Sequence, residues 1–377
     1  MHSHYSFFIS VFIVYTLMNT YVFYRSKQAL PKSKMTRTVF YAVYFFFYSA
    51  FIIAMLGRNL FPLVIQKVLY FPGTVWMGML LYLLIFFFLT DIIYFFNRFF
   101  HYLPATVTSR YRKIQVLSGY ILVLYLSVYG YYQYRNPQVV EQKISIAKKA
   151  GAYKSLKVVG VSDFHLGVAN DKNSLERYVE LINEQHPDLI LIAGDLIDNN
   201  TLPLEKERMW ENLNELQAPL GVYFCMGNHE YMSGSSKEVR NFFSKTNIHI
   251  LKDSLTVINN SIQIVGRDDR QGNRRRKPLK DLVKNADSAL PLFLIDHEPF
   301  HLYEAEENGI DLQFSGHTHH GQIFPANILT DLAYELSYGY MQKGNTHYFV
   351  SSGLGLWGPP FRIGTHSEVV VFNIEFN

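Results

Sequence analysis

The sequence is nearly without cysteine. Cys225 stands alone among 377 residues, so no disulfide can form within the chain and no bridge framework holds the fold. It also lacks a dominant charge. Lys and Arg number 35 against 31 Asp and Glu, and a net +4 argues against a general nucleic-acid-binding surface. Tryptophan is sparse, with 3 residues. Charge is almost missing from four apolar stretches in the first third, at about 5–24, 38–56, 75–96 and 116–132. Each is long enough, at ~1.5 Å per residue, to cross a ~30 Å hydrocarbon layer. Four buried helices of such length in one water-soluble domain would be unusual. The reading is therefore an all-α transmembrane region of about four helices, residues 1–135, embedded in a lipid bilayer.

What is absent before the first stretch matters too. A secretory signal carries Lys or Arg ahead of its apolar core, whereas Arg25 and Lys27 follow this one, so a cleaved signal is not expected. The first connection holds Arg25, Lys27, Lys32, Lys34 and Arg37, and the third holds Arg98, Arg110, Arg112 and Lys113. The second has only Arg58 and Lys67. Positive loops stay on the cytoplasmic side, so the expected arrangement is a multi-pass cell-membrane protein with everything after the fourth span outside the cytoplasm. Asp91 is the one acid inside a span; seven residues before Arg98, it is expected to share a helix face with it near the interface.

From residue 136 to 377 the pattern changes to short β-like runs alternating with amphipathic helices, the signature of an α/β or α+β domain. "SLERYVELINEQH" has helical period with Asn173 or Ser174 as its cap, and "LEKERMWENLNELQ" reads as a second helix. "IHILKDSLTVINNSIQIVGRDD" reads as paired strands with a turn at residues 259–261. The polar residues follow the buried-looking runs with regularity. Asp163 and His165, Asp195 and Asp198, Asn228 and His229, His297, and His317 and His319 each come directly after one. Ligands bind at the carboxyl ends of strands in open α/β sheets, so these five scattered clusters can converge on one edge. Carboxylate oxygens, imidazole nitrogens and a neutral amide suit Mn²⁺, Fe²⁺ or Zn²⁺, and no thiolate is required.

Each piece is weak alone; their joint order is not. The series "DFH", "GDLID", "GNHE", "DH" and "GHTH" resembles the calcineurin-like metallophosphoesterase superfamily, with all five motifs present and no departure. The resemblance covers about residues 155–372. It implies a four-layer sandwich of two mixed sheets flanked by helices, with two divalent metal ions (Mn, Fe or Zn) at one edge. One ion would take Asp163, His165 and His319, the other Asn228, His297 and His317, with Asp195 bridging them. Two such ions can share a hydroxide and stabilise the attacking and leaving oxygens on phosphorus. His229 matches the family's non-ligand histidine, placed to steady phosphoryl oxygens or protonate a leaving group, and Asp198 the carboxylate that orients it. Glu230 reads as structural. His297 is preferred over His301 because it ends the strand itself. His320 has no place in the motif.

The basic segment "GRDDRQGNRRRK" (266–277) is suited either to capturing an anionic substrate or lipid headgroups, or to a solvated loop balanced by Asp268 and Asp269. "SSGLGLWGPPFRIG" offers Trp357 and Phe361 as groups able to face substrate or to pack a loop. The expected partner is a phosphate-containing small molecule or lipid. Superfamily members include monoesterases, diesterases, nucleases and hydrolases of acylated UDP-sugar pyrophosphates, and the motifs do not separate them. A receptor or scaffold that binds a phospho-ligand without turnover is the alternative; loss of Asp195, Asn228 or His229 would favour it, and all three are present. A transporter built from the four spans is disfavoured by their scarcity of charge.

Overall fold

A computed structural model describes residues 2–57, 60–102 and 107–377. Arg58, counted in the second connection, lies outside the described residues. By contacts the chain divides into two units, Met1–Tyr131 with Pro359–Phe361, and Tyr132–Gly358 with Arg362–Asn377.

The first unit is built from α1 (His2–Gln28), α2 (Lys34–Leu56), α3 (Leu63–Phe100) and α4 (Val107–Arg135) as far as Tyr131. Among the described residues, Lys34–Leu56, Leu63–Phe100 and Arg110–Arg135 are long and apolar enough to cross a membrane. The fourth expected span, 5–24, is helical within α1. Its Asn19 is buried, accepts hydrogen bonds from Tyr44 Oη (main chain, 2.7 Å) and Trp76 Nε1 (side chain, 2.9 Å), and donates to Tyr15 O at 2.8 Å. Such a group tolerates an apolar environment because its bonding capacity is filled. α3 is longer than its apolar run and carries Pro72 inside it. Asp91, on the same helix as Arg98, is bonded by Tyr21 Oη and Arg25 from α1. A spacing within one helix could not reveal a partner on another.

The second unit holds two six-stranded mixed sheets with helices on their outer faces. In the first sheet the order is β1 (Gln138–Ile146), β12 (Glu368–Phe376), β2 (Ser155–Val161), β3 (Leu189–Ala193), β4 (Val222–Cys225) and β5 (His249–Leu251), with β2 to β5 parallel. The second sheet runs β10 (Gly339–Lys343), β11 (Thr346–Val350), β9 (Leu312–Ser315), β8 (Leu292–Ile295), β7 (Ile262–Gly266) and β6 (Ser254–Ile258), parallel from β11 to β7. Strand alternation explains the layering. Val158, Leu189, Leu191 and Ala193 of the first sheet face Phe293, Ile295, Leu312 and Phe314 of the second in one core. Val159, Val161, Ile190 and Ile192 point the other way, onto helices that include Lys172–Asn183 and Ser236–Phe243. The buried, uncharged runs seen in the sequence are these doubly covered strands.

Three local expectations meet the structure differently. β6 and β7 pair antiparallel across Asn259 and Asn260, both with positive φ, as the Asn-rich turn requires. The cap of the Lys172–Asn183 helix is Asp171, which accepts from Ser174 N, rather than Asn173 or Ser174. The expected second helix is two short ones, Leu202–Lys206 and Met209–Leu213, because Arg208 between them adopts the left-handed conformation.

Candidate metal centre

β2, β3 and β4 lie side by side and parallel in one sheet, as do β8 and β9 in the other. Their carboxyl ends therefore point the same way within each sheet. Asp163 and His165 follow β2, Asp195 and Asp198 follow β3, Asn228 and His229 follow β4, His297 follows β8, and His317 and His319 follow β9. Main-chain bonds continue past the strand ends: His165 N donates to Asp195 O at 2.9 Å, and Gly316 N to His297 O at 3.0 Å. The loops are thus held by sheet-like bonding while their side chains turn toward a common centre.

All nine residues come together. Side-chain donors of Asp163, His165 and His319 lie within 4.8 Å of one another, and so do those of Asp195, His297 and His317. Asp195 also groups with His165 and His229, which makes it common to both sides. Asn228 Oδ1 is 3.0 Å from His317 Nδ1. His301 does not join them; its Nε2 sits 3.2 Å from Arg270 Nη1.

The loops are strained to do this. Asp163, His165, Asp195, His317 and His319 all have φ between 45° and 71°, a region non-glycine residues occupy at a cost of roughly 1 kcal/mol or more each. Two motif glycines yield space. A Cβ at Gly227 would sit 2.2 Å from Asp195 Oδ1, and one at Gly316 2.3 Å from Asp163 Oδ2. The glycine of one motif thus accommodates the carboxylate of another.

The donor set fits divalent ions. His165 Nε2 faces His319 Nε2 at 3.1 Å, and His317 Nδ1 faces His297 Nε2 at 3.2 Å. Imidazole nitrogens converge this closely when something electrophilic belongs between them, and His319 Nδ1 is buried without a hydrogen-bond partner. Electrostatics point the same way. Burial would raise the carboxyls of Asp163 and Asp195, but the surrounding histidines hold both well below the usual carboxylate range. Against burial, Asp163 and Asp198 push His165 up to about 10, and Asp195 raises His297. Burial, with His165 beside it, lowers His319, and burial with His297 lowers His317. Two buried carboxylates demand positive charge at this centre. Divalent ions would supply it and displace those protons. Adding Mn²⁺ at about 100 times its dissociation constant should stabilise the fold by about 2.7 kcal/mol, raising the melting temperature by roughly 5–10 °C. A melting curve indifferent to Mn²⁺, Fe²⁺ and Zn²⁺ would remove the metal interpretation.

His229 is set differently. Its Nδ1 donates to the main-chain O of Asp198 at 2.7 Å, with the Asp198 carboxylate farther off at 3.4 Å. That fixes the tautomer and leaves Nε2 for other work. Asp198 Oδ1 also lies 3.5 Å from His165 Nδ1, so one carboxylate braces both rings. Glu230 accepts from Asp195 N, Ile197 N and Gly227 N at 3.0, 2.9 and 2.8 Å. Burial, reinforced by the Asp195 charge, pushes it up to about 7 despite the Ile197 and Gly227 amides.

Sequence reasoning did not single out Asn170 or Arg362. Asn170 Nδ2 donates to His165 O and Leu356 O at 2.9 and 2.7 Å, while its Oδ1 accepts from Tyr134 and Tyr178. Arg362 is fully buried and donates to Gly353 O and Gly355 O, at 3.0 and 2.6 Å. Its signal was a lone Arg in the otherwise apolar "GPPFRIG"; Asn170 offered none. Of the basic segment, Arg267 and Arg276 are committed to Asp296. Arg270 lies over the Phe300 ring at 5.3 Å.

Two sheets that gather aspartates, an asparagine and histidines at their strand ends have the architecture of a metal-dependent phosphoesterase. The profile of the calcineurin-like phosphoesterase family matches residues 156–321. An uncharacterized metallophosphoesterase of Helicobacter pylori strain J99 is 32% identical over 262 residues, covering 66% of this chain and 69% of that one. The chain belongs to the metallophosphoesterase family. An uncharacterized metallophosphoesterase of Campylobacter jejuni is 34% identical over 226 residues, 59% of this chain and 60% of its own length. A transmembrane protein with metallophosphoesterase domain from Danio rerio is 30% identical over 270 residues, 68% of this chain and 61% of that one. With three helices among its described residues long and apolar enough to cross a membrane, this chain is a membrane protein.

Proposed function

We propose that this chain is a multi-pass membrane enzyme, with a transmembrane region at 1–135 and a catalytic domain at 136–377, that hydrolyses a phosphate ester or phosphoanhydride. The observation that carries the reading is the central place of Asp195, whose carboxylate is common to a donor group with His165 and a donor group with His297 and His317. Asp163, His165, His319 and Asp195 would hold one divalent ion, and Asp195, Asn228, His297 and His317 a second. Such ions, when bound, polarise phosphoryl oxygens and supply hydroxide near neutral pH. The chain's own residues do the rest. His229, its Nδ1 spent on the Asp198 carbonyl, keeps Nε2 free to hold a proton for the leaving oxygen. The strained loops and Glu230 keep the donors in position before substrate arrives, so little reorganisation accompanies the reaction. The surplus of Lys and Arg in the first and third connections supports a catalytic domain outside the cytoplasm.

The test uses the full chain in detergent, stripped by chelation and reloaded with Mn²⁺, Fe²⁺ or Zn²⁺. Hydrolysis of p-nitrophenyl phosphate or bis(p-nitrophenyl) phosphate should return with metal and stay absent in His229→Ala. Folded, metal-loaded protein that turns over neither these nor a lipid pyrophosphate would leave a phospho-ligand receptor as the better reading.

A further inference from the structure

Directly after the Gly-His-Thr-His-His-Gly motif runs the eight-residue helix Ala326–Ala333, none of whose residues is buried. Its apolar side chains face out: Leu329 is 68% exposed and Leu332 80%, with Ile328 and the preceding Phe324 about half exposed. A surface helix ordinarily spends its apolar stripe on a core, and apolar groups clustered in water mark an interaction surface.

This helix is fastened to the candidate metal centre. His320 Nε2 lies 3.5 Å from Asp331 Oδ1, and the His320 ring stacks on Tyr338 with centroids 4.7 Å apart. Thr318 Oγ1 donates to Ser337 O at 2.6 Å, and Phe324 N to Ile363 O at 2.7 Å. Gln322 Nε2 donates to the carbonyl of Trp357 at 3.0 Å. The Trp357 ring is 52% exposed and its centroid lies 6.5 Å from that of His229. Exposed apolar side chains thus stand both on the helix and beside His229. Asp331, the helix's only ionisable residue, is engaged by His320 and Ser337, so no free charge opposes transfer into an apolar medium.

We propose that Phe324, the Ala326–Ala333 helix and Trp357 form a platform that enters the apolar layer of the bilayer and takes the acyl chains of a membrane-resident phosphorylated lipid. Two observations select lipid as the occupant. The chain carries its own membrane-crossing helices, so a bilayer is always tethered to this domain. The helix presents no free charge, because its one ionisable residue, Asp331, is engaged by His320 and Ser337. Trp, Phe and Leu without free charge are also the side chains that partition to the membrane boundary. The proposal rests on the phosphoesterase reading for its substrate, but not for its membrane contact. His320 becomes a positioning residue that holds the platform to the metal-binding motif.

Cys225 is buried, so a single cysteine placed at Leu332 can be labelled selectively with an environment-sensitive fluorophore in the folded full chain. In lipid nanodiscs, lipids spin-labelled on the acyl chain should quench Leu332→Cys at least twofold and leave the exposed control Lys284→Cys unchanged. Equal quenching at both positions overturns the proposal. So does a shielded but unquenched label at 332, which would mean that a protein or a second copy covers the helix. In a second arm, dodecyl phosphate should inhibit p-nitrophenyl phosphate hydrolysis at least tenfold more strongly than butyl phosphate. The pair Leu329→Glu and Leu332→Glu should abolish that preference without changing dye turnover; a preserved preference overturns the acyl-chain assignment. Absence of dye turnover in the parent protein would count against the phosphoesterase reading alone, because quenching still decides membrane contact.

Discussion

Asp195→Asn is expected to lower metal-dependent turnover by at least about 10³-fold, equivalent to roughly 4 kcal/mol of transition-state stabilisation. The substitution is close to isosteric. Asparagine keeps an oxygen for the 2.8 Å bond that Asp195 Oδ1 accepts from His229 N. What it removes is the negative charge and the second oxygen, which lies 3.1 Å from His297 Nε2. A residue proposed to serve two ions at once cannot do so through a neutral amide, whose nitrogen donates rather than accepts. Metal content measured by mass spectrometry should fall from two equivalents to one or fewer, while circular dichroism remains that of the folded parent. Full activity in the variant would end the two-ion reading. Lost activity with two ions still bound would instead move Asp195 from ligand to a contact with substrate.

The largest effect on stability is expected at Glu230, which touches no substrate in this scheme. Glu230→Ala leaves the buried amides of Asp195, Ile197 and Gly227 without an acceptor. Each orphaned group costs about 1–3 kcal/mol, so a total near 4 kcal/mol and a melting temperature lower by about 10 °C are expected. Glu230→Gln should lose less but still destabilise, because its amide nitrogen would confront donors rather than accept from them. Chemical denaturation of the metal-free proteins measures both. A loss under about 1 kcal/mol for Glu230→Ala would show that the loops after β3 and β4 hold their shape without it.

The site motifs were legible because their chemistry is local. A buried strand ends, and the next two to five residues carry the donors, so each cluster is visible in a short window. The reason for a motif's own glycine was not legible. Gly227 is required by Asp195 and Gly316 by Asp163, across 32 and 153 positions respectively. The break at Arg208 and the cap at Asp171 escaped for a smaller reason: helical period tolerates shifts of a residue or two, and only backbone conformation resolves them.

By itself the sequence determined the apolar helices, the alternation of buried strands and helices, and the family, because hydrophobic runs and residue spacing are properties of adjacent positions. Tertiary structure alone decided which histidines face each other, as His165 and His319 do at 3.1 Å. It alone gave Asp91 an arginine from another helix and Asn170 four partners at once. It also gave His320 an occupation, as the tie between the Gly-His-Thr-His loop and an exposed apolar helix. The physical reason is common to these cases. Burial leaves each polar group to find partners wherever the fold brings them, and those partners are set by three-dimensional proximity, which spacing along the chain does not record.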